Sequence, residues 1–441
     1  MRFRHVTCLI WFFVALFLVL TLNIVNAEEP EKIYTLDESI EEALANNWSI
    51  KAKKGKIDEA VYVRKQAEAE FLPKFKTSYG YRKDSEARLF RSSAGGDIAI
   101  STVDNYEWRA TIEQPIFTGF ALSSSFELAK LGIDQSEIDF ELAKLDLILK
   151  VEEAYFDILG ADKAVEVTGK EVESLDSNVK VASNFYKVGM IPINDLLQAE
   201  VELADAQQNS VRARNISKLA RSAFNIVLAR PVNAPVEVED ILTYKSETGD
   251  FKEYLDSALK NRPEIKILDV NLLQTDQEIR LAKSKYYPEV AMTYDYIKEG
   301  DDPDVSGSVF HDAGRWEAMA VLSWTFWEWG KTLNSVKEKE SFKRQLIQTR
   351  QALLDNISLE IKKAVLDLDE ADKNIPTTTK AVEQAEENLR VSEERYKAQV
   401  TTMNEVLDAQ SLLTQARVNY YRALYGHNLA KARLRRAIGE Y

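Results

Sequence analysis

Two carboxylates three residues apart, Glu405 and Asp408, sit at the start of a long apolar-periodic stretch near the end of the chain. That spacing puts both on one face of a helix. Copies of the chain arranged around an axis would gather them into a narrow acidic ring, where crowded like charges raise one another's pKa and attract cations. Glu405 has a second reading: Thr402-Met-Asn-Glu405 has the pattern of a capping box, and an acid in a first helical turn complements the dipole. Asp408 lies beyond that cap. An earlier copy of the motif carries the neutral Gln198 in its place. The upstream turn reads Phe185-Tyr-Lys-Val-Gly-Met-Ile-Pro192, in which Gly189 suits a left-handed C-cap and Pro192 the first position of the next helix. Val188, Gly189 and Met190, with Ala398, Gln399 and Val400 in the second turn, are candidate docking points for a protein partner.

The residue types that covalent or metal chemistry needs are sparse. Cys8 is the single cysteine, and His5, His311 and His427 are scattered. No Gly-Xaa-Ser-Xaa-Gly, His-Glu-Xaa-Xaa-His or phosphate loop is present. The expectation is no cofactor, no metal site and no catalytic residue, which leaves a periplasmic hydrolase as the weakest alternative. Arg2 and Arg4 precede an apolar run from Cys8 to Leu22 and the small-residue site Val25-Asn26-Ala27. This has the layout of an export leader cleaved after Ala27, and the run is short for a spanning helix. Cys8 leaves with it, so the mature chain has no thiol. The formal charge of −14 disfavours nucleic acid and anionic lipid surfaces as partners.

The chain is written twice. Val151-Glu-Glu-Ala-Tyr…Phe185-Tyr-Lys-Val-Gly-Met190…Asp195-Leu-Leu-Gln-Ala-Glu200 returns as Ile361-Lys-Lys-Ala-Val…Arg395-Tyr-Lys-Ala-Gln-Val400…Glu405-Val-Leu-Asp-Ala-Gln410. Ala43-Leu44 with Asn46 matches Ala258-Leu259 with Asn261, and Phe71-Leu-Pro73 matches Tyr286-Tyr-Pro288. Each copy reads as a helix, a strand, a polar loop, a strand, a very long helix, a tight turn and another long helix.

The strand segments alternate with period two. Phe75, Thr77, Tyr79 and Tyr81 interleave with polar residues, as do Tyr106, Trp108, Ala110 and Ile112. Val290, Met292, Tyr294 and Tyr296 do the same in the second copy, followed by Trp316, Ala318, Ala320, Leu322 and Trp324. A half-buried soluble sheet would show the same alternation. Two features favour a membrane. Trp108, Trp316, Trp324, Trp327 and Trp329 crowd in or beside these strands with Tyr79, Tyr81, Tyr294 and Tyr296, as aromatics do at lipid interfaces. The loops over 83–105 and 299–314 are long and polar, like the external loops of outer-membrane barrels. Four strands cannot close a barrel and open edges are not tolerated in lipid, so several copies must share one.

From Ala121 to Tyr186 and from Lys331 to Ile375 there is no proline. Leu131, Ile138 and Leu145 repeat by heptads, as do Leu142, Leu149 and Phe156, which gives a helix packed on both sides. A periplasmic coiled-coil adaptor or rod is the structural alternative, and it leaves the strands unexplained.

At the duplicated strands, long helices and turns, the sequence resembles the TolC family of outer-membrane channels along the whole mature chain. The resemblance implies a mainly α fold with a membrane β-barrel, in which long coiled-coil helices form an α-helical barrel. It implies a homotrimer whose four strands per chain make a twelve-stranded barrel in outer-membrane lipid, with a long periplasmic extension. It further implies a passive conduit of a tripartite efflux or type I secretion system, docked on a periplasmic adaptor (membrane fusion protein) and an inner-membrane pump. Glu405 and Asp408 fall at the family's acidic periplasmic entrance. Where the family pattern has a glycine and, two residues on, an arginine, this chain has Gln399 and Thr401, which leaves an arginine latch to Asp195 without its donor. The expected layout is a leader over 1–27, a first repeat over 28–230, a linker over 231–251 and a second repeat over 252–441. The first repeat holds strands at 72–82 and 106–117 and long helices at 120–187 and 192–229. The second holds strands at 288–298 and 315–326 and long helices at 331–397 and 402–438.

Overall fold

A computed structural model of the chain describes residues 33–92, 95–246, 249–310 and 312–441. The leader over 1–27, with Cys8 and His5, and His311 in the second external loop lie outside the described residues. In chain order the elements are β1 (Ile33–Tyr34), α1 (Leu36–Asn46), α2 (Trp48–Ala69), β2 (Lys74–Lys83), β3 (Leu89–Ser92), β4 (Gly96–Ala99), β5 (Asp104–Thr118), α3 (Ala121–Lys187) and α4 (Ile193–Val227). They continue with β6 (Glu237–Val238), α5 (Phe251–Asn261), α6 (Pro263–Lys283), β7 (Glu289–Gly300), β8 (Gly314–Ser323), α7 (Lys331–Lys397) and α8 (Met403–Ile438).

The duplication is visible in the backbone. Residues with left-handed φ recur 210 positions apart: Gly119 and Phe120 against Trp329 and Gly330, Gly189 against Gln399, and Ala229 against Gly439. Helices α3 and α7 are each 67 residues long, about 100 Å at ~1.5 Å per residue. They begin at the same point after the same backbone reversal. Gly119 shows why one of the pair is glycine: a Cβ there would lie 2.4 Å from the Ser284 carbonyl oxygen. Pro376 lies inside α7 and removes one backbone donor, yet the helix runs on to Lys397. Just past it, Thr377, Thr378 and Thr379 donate their hydroxyls back to carbonyls one turn earlier.

The chain forms two units. The strand-bearing unit takes Trp48–Asp146, Gly249–Val365 and Arg435–Tyr441. Its sheet is antiparallel in the order β2-β5-β7-β8, with a bulge in β5 between Pro115 and Phe117. Its helices follow the same logic. A groove of Ile57, Ile138, Phe140 and Pro263 joins α2, α3 and α6. Gln274 donates to Gln135 at 3.0 Å between α6 and α3, and Lys343–Asp276 and Arg350–Asp269 tie α7 to α6. The row is therefore α2-α3-α6-α7. An arginine knot secures it. The buried Arg262 reaches Glu264 at 2.7 Å and Glu360 at 2.6 Å, and Arg436 joins Glu264 to Asp146, each at 2.8 Å.

The helical unit takes the described part of Met1–Asn47 together with Leu147–Thr248 and Leu366–Leu434. Arg221 grips Asp162 at 2.7 Å between α4 and α3. Ser174 meets Gln410 at 2.6 Å and Arg433 meets Glu153 at 3.0 Å between α3 and α8. Arg417–Glu386 and His427–Asp372 join α8 to α7. The row here is α4-α3-α8-α7. At the turn end its core includes Leu175, Leu196, Leu389, Met403, Val406 and Leu413, and all are buried. The Tyr155 hydroxyl lies within hydrogen-bonding reach of the Tyr34 and Glu239 carbonyls, which anchors the parallel β1–β6 pair.

Glu264 gives this fold an acid-sensitive point. Burial favours its protonated form. Hydrogen bonds from Arg262 and the backbone, with the charges of Arg262 and Arg436, outweigh burial and hold it down at about 2 against an ordinary 4.5. A depressed carboxyl stabilises fully above the unfolded value and loses that contribution as pH falls through the folded one. The step therefore runs from about pH 4.5 down to about 2 and is worth roughly 3 kcal/mol. Glu264→Gln should cost about 3 kcal/mol at neutral pH and flatten most of that step, read by circular dichroism in detergent. An unchanged acid profile would refute the assignment.

Candidate functional site

The ladder registers decide which side chains share a face of the sheet. Tyr79 stands opposite Trp108 and through it Lys298, and Tyr81 opposite Tyr106. Ile112 faces Tyr294 and through it Ala318, and Ala110 faces Tyr296 and through it Trp316. One face thus collects Phe75, Thr77, Tyr79, Tyr81, Trp108, Ala110, Ile112, Tyr294, Tyr296, Trp316, Ala318 and Leu322. The other collects Lys74, Lys76, Arg109, Glu113, Asp295, Glu299, Arg315 and Glu317.

Exposure is inverted relative to a soluble sheet. The contrast is read on β7, which is paired on both sides: on its apolar face Tyr294 is 41% exposed and Tyr296 37%. On β7 the charged-face residue Asp295 is 7% exposed, and its neighbour Ile297 is fully buried. A water-soluble sheet buries its aromatics, whereas a sheet bathed in hydrocarbon turns them outward. Trp324 and Trp327 lie just past the end of β8, where Trp324 donates its indole N–H to the Tyr286 carbonyl at 3.2 Å. Rings therefore gather at both ends of the strands. At one end are Tyr79, Tyr81, Tyr106, Trp108, Tyr296 and Trp316, with Tyr294 stacked on Trp316. At the other are Phe117, Phe120, Tyr287, Trp324 and Trp327. Between Trp316 and Trp324 an extended strand covers about 27 Å, comparable with the ~25 Å apolar band of a membrane barrel.

The segment over 83–105 is more ordered than a plain loop, because β3 and β4 pair within it as a short hairpin. The second loop folds back on the sheet, with the Tyr79 hydroxyl donating to the Pro303 carbonyl at 2.7 Å.

The two helical turns share one cap geometry. At the first, Met190 N–H donates to the Phe185 carbonyl at 2.8 Å and Gly189 N–H to Tyr186 at 2.9 Å. At the second, Val400 donates to Arg395 at 3.0 Å and Gln399 to Tyr396 at 2.9 Å. Both are helix C-caps with a left-handed residue, glycine in one and glutamine at a steric cost in the other. Pro192 occupies the cap position before α4 rather than its first turn. Val188, Gly189, Met190, Ala398, Gln399 and Val400 are all exposed.

The two acids of the second turn part company. Glu405 is partly covered: its Oε1 accepts from Arg395 at 2.6 Å and its Oε2 from the Thr401 hydroxyl. Asp408 is exposed, and its counterpart Gln198 is exposed at the same helical position of the first copy. The Arg395–Glu405 pair spans ten residues across a turn, a distance at which no periodicity rule links two side chains. Arg109, central to the charged face, also escaped the sequence reading, since its partners depend on cross-strand register.

Long helices in rows, with an antiparallel sheet that carries an apolar face and open edges, define the class of outer-membrane channels of mixed helical and strand construction. The comparisons agree. The chain belongs to the outer membrane efflux protein family, whose profile matches residues 39–224 and 254–440, one copy each. The outer membrane protein TolC of Escherichia coli is 22% identical over 388 residues, covering 82% of this chain and 72% of that one. The alkaline protease secretion protein AprF of Pseudomonas aeruginosa is 21% identical over 408 residues, covering 89% and 82%. Among solved structures, the Campylobacter jejuni CmeC outer membrane channel superposes with a TM-score of 0.80 at 17% identity over 92% of this chain and 85% of that one. The Vibrio cholerae outer membrane protein VceC gives 0.77 at 16% identity, covering 92% and 96%.

The two faces should respond oppositely to charge. Leu322→Arg on the apolar face should cost about 2–4 kcal/mol of insertion and sharply lower the yield of heat-modifiable protein in outer-membrane fractions. Met319→Arg on the charged face, where the cross-strand partner is the neutral Thr293, should be tolerated. Equal yields of the two would refute the face assignment.

Proposed function

We propose that three copies of this chain close into a twelve-stranded outer-membrane barrel continuous with a periplasmic helical tunnel. The assembly is a passive export conduit with no catalytic step, reached after removal of residues 1–27. As a member of its family the chain is an outer-membrane efflux or secretion channel. The relatives' names add drug, toxin, pyoverdine and alkaline protease export, which supports a conduit whose cargo is chosen by its partners.

The observation that carries the ring is that the sheet and each helical row end in a first-copy element on one side and a second-copy element on the other. The sheet runs from β2 to β8, the helices beside it from α2 to α7, and the helical unit from α4 to α7. First-copy elements form one edge and second-copy elements the other. Inside the chain the two copies meet as β5 on β7, α3 on α6 and α3 on α8. The duplicated counterparts of those pairs are β8 on β2, α7 on α2 and α7 on α4, which are the free edges. A second chain can therefore repeat the internal seam between molecules. The edge helix α4 also exposes Leu197, Val201, Val211, Leu219 and Ile226, a stripe that such a neighbour would cover.

The internal register fixes the external one. Ala110 opposite Tyr296 and Ile112 opposite Tyr294 map, through repeat offsets of 210 and 215, onto Ala320 opposite Tyr81 and Leu322 opposite Tyr79 of the next copy. The mature chain offers a thiol-free background for a test. Ala320→Cys with Tyr81→Cys should give oxidant-dependent covalent dimers and trimers, because directly opposed Cβ atoms lie within disulfide reach. Ala320→Cys with Arg82→Cys, displaced by one residue, should not. Equal cross-linking in the two pairs would sink the register.

In this reading the exposed turn residues Val188, Gly189, Met190, Ala398, Gln399 and Val400 meet a periplasmic adaptor, which couples the conduit to an inner-membrane pump. Asp408 lines the periplasmic entrance. Glu405, held by Arg395 and Thr401, contributes less field than its position suggests. In planar bilayers Asp408→Asn should lower cation selectivity and weaken block by multivalent cations added from the periplasmic side, with thermal stability nearly unchanged. Unchanged selectivity with lost stability would make Asp408 a packing residue.

A further inference from the structure

We propose that Arg109 sets the ion preference of the barrel lumen by restraining three carboxylates, Glu107, Asp295 and Glu317, that line it. The proposal rests on the barrel reading, since it needs the charged face of the sheet to face the lumen. Arg109 stands on β5, and β7 separates it from β8. Two strand spacings of ~4.8 Å lie between β5 and β8, so a long side chain is required to cross. The guanidinium makes that crossing. Its Nε donates to Glu107 at 3.0 Å, and its Nη1 stands 3.8 Å from both Asp295 on β7 and Glu317 on β8.

The surroundings hold it there. Asp295 is almost wholly covered and also accepts from the Thr111 hydroxyl. Ile297 lies opposite both Arg109 and Arg315 and is fully buried, so the two arginines have an apolar floor between them. Arg315 in turn pairs with Glu299 at 3.0 Å and Glu317 at 3.2 Å. Each chain thus places two guanidiniums among four carboxylates on one belt, and copies around an axis repeat it as a ring. Rings of charged side chains set which ions dwell in a pore. Arg109 touches three of the four acids, so its charge decides how much negative field the belt presents.

The test uses full-length trimers in planar bilayers under a KCl gradient, all in an Asp408→Asn background so that the entrance does not dominate. Adding Arg109→Gln should raise the K+/Cl− permeability ratio, and adding Glu317→Gln should lower it. The pair together should return it toward the background value, while Arg109→Lys, which keeps the charge, should leave it close to that value. The Glu317→Gln arm reads the belt even if Arg109→Gln fails to assemble. If Glu317→Gln leaves the ratio unchanged, or if Arg109→Gln and Glu317→Gln shift it in the same direction, Arg109 is a structural clamp and the proposal is overturned. That outcome differs from failure of the channel reading, in which the wild-type protein itself forms no conducting pore.

Discussion

A backbone in hydrocarbon has no water to satisfy its N–H and C=O groups, so a sheet in lipid must have no edge. This chain supplies four strands and two edges, β2 and β8. Nearly everything else follows from that shortfall. In the proposed ring the strands are completed by other copies, and the apolar face of the sheet is the one turned to lipid. Internal duplication meets the requirement economically, because one kind of seam, already made inside the chain, serves again between chains.

Much of the fold was legible in the sequence for a physical reason. Period-two alternation over ten residues and proline-free heptad runs are local signals, and each is long enough here to stand alone. The repeat matched Phe185–Met190 to Arg395–Val400, and the backbone shows the same left-handed cap at Gly189 and at Gln399. What stayed hidden depends on contacts distant in sequence or on competing local terms. Arg109 finds Glu317 only through the register of three strands. Arg395 finds Glu405 only because a turn folds one helix back beside the other. The β3–β4 hairpin is four residues a side in a polar stretch, too short for alternation to show. Pro376 reads as a stop, yet helix α7 passes through it, since packing of its covered face against α8 outweighs one lost hydrogen bond.

The electrostatics divide by place. In the strand-bearing unit, Arg262 and Arg436 bind carboxylates away from solvent, where pairing is obligatory and removal of one partner is costly. On the charged face of the sheet, Arg109 and Arg315 pair with Glu107, Glu299 and Glu317 in solvent-accessible contacts. At the second turn one acid is paired and the other left open. An acidic chain therefore does not present a uniformly acidic surface. Its field is strong where a carboxylate lacks a partner and muted where a guanidinium lies across several.

The shared edges also govern how a faulty copy behaves among sound ones. In a head-to-tail ring each chain offers one edge and accepts the other, so a chain that keeps β2 but has lost β8 can still join a neighbour and then blocks closure. In the proposed ring a defect confined to one edge would thus be inherited by the whole assembly. It would act dominantly over normal copies made in the same cell, whereas a chain unable to fold at all would merely be absent.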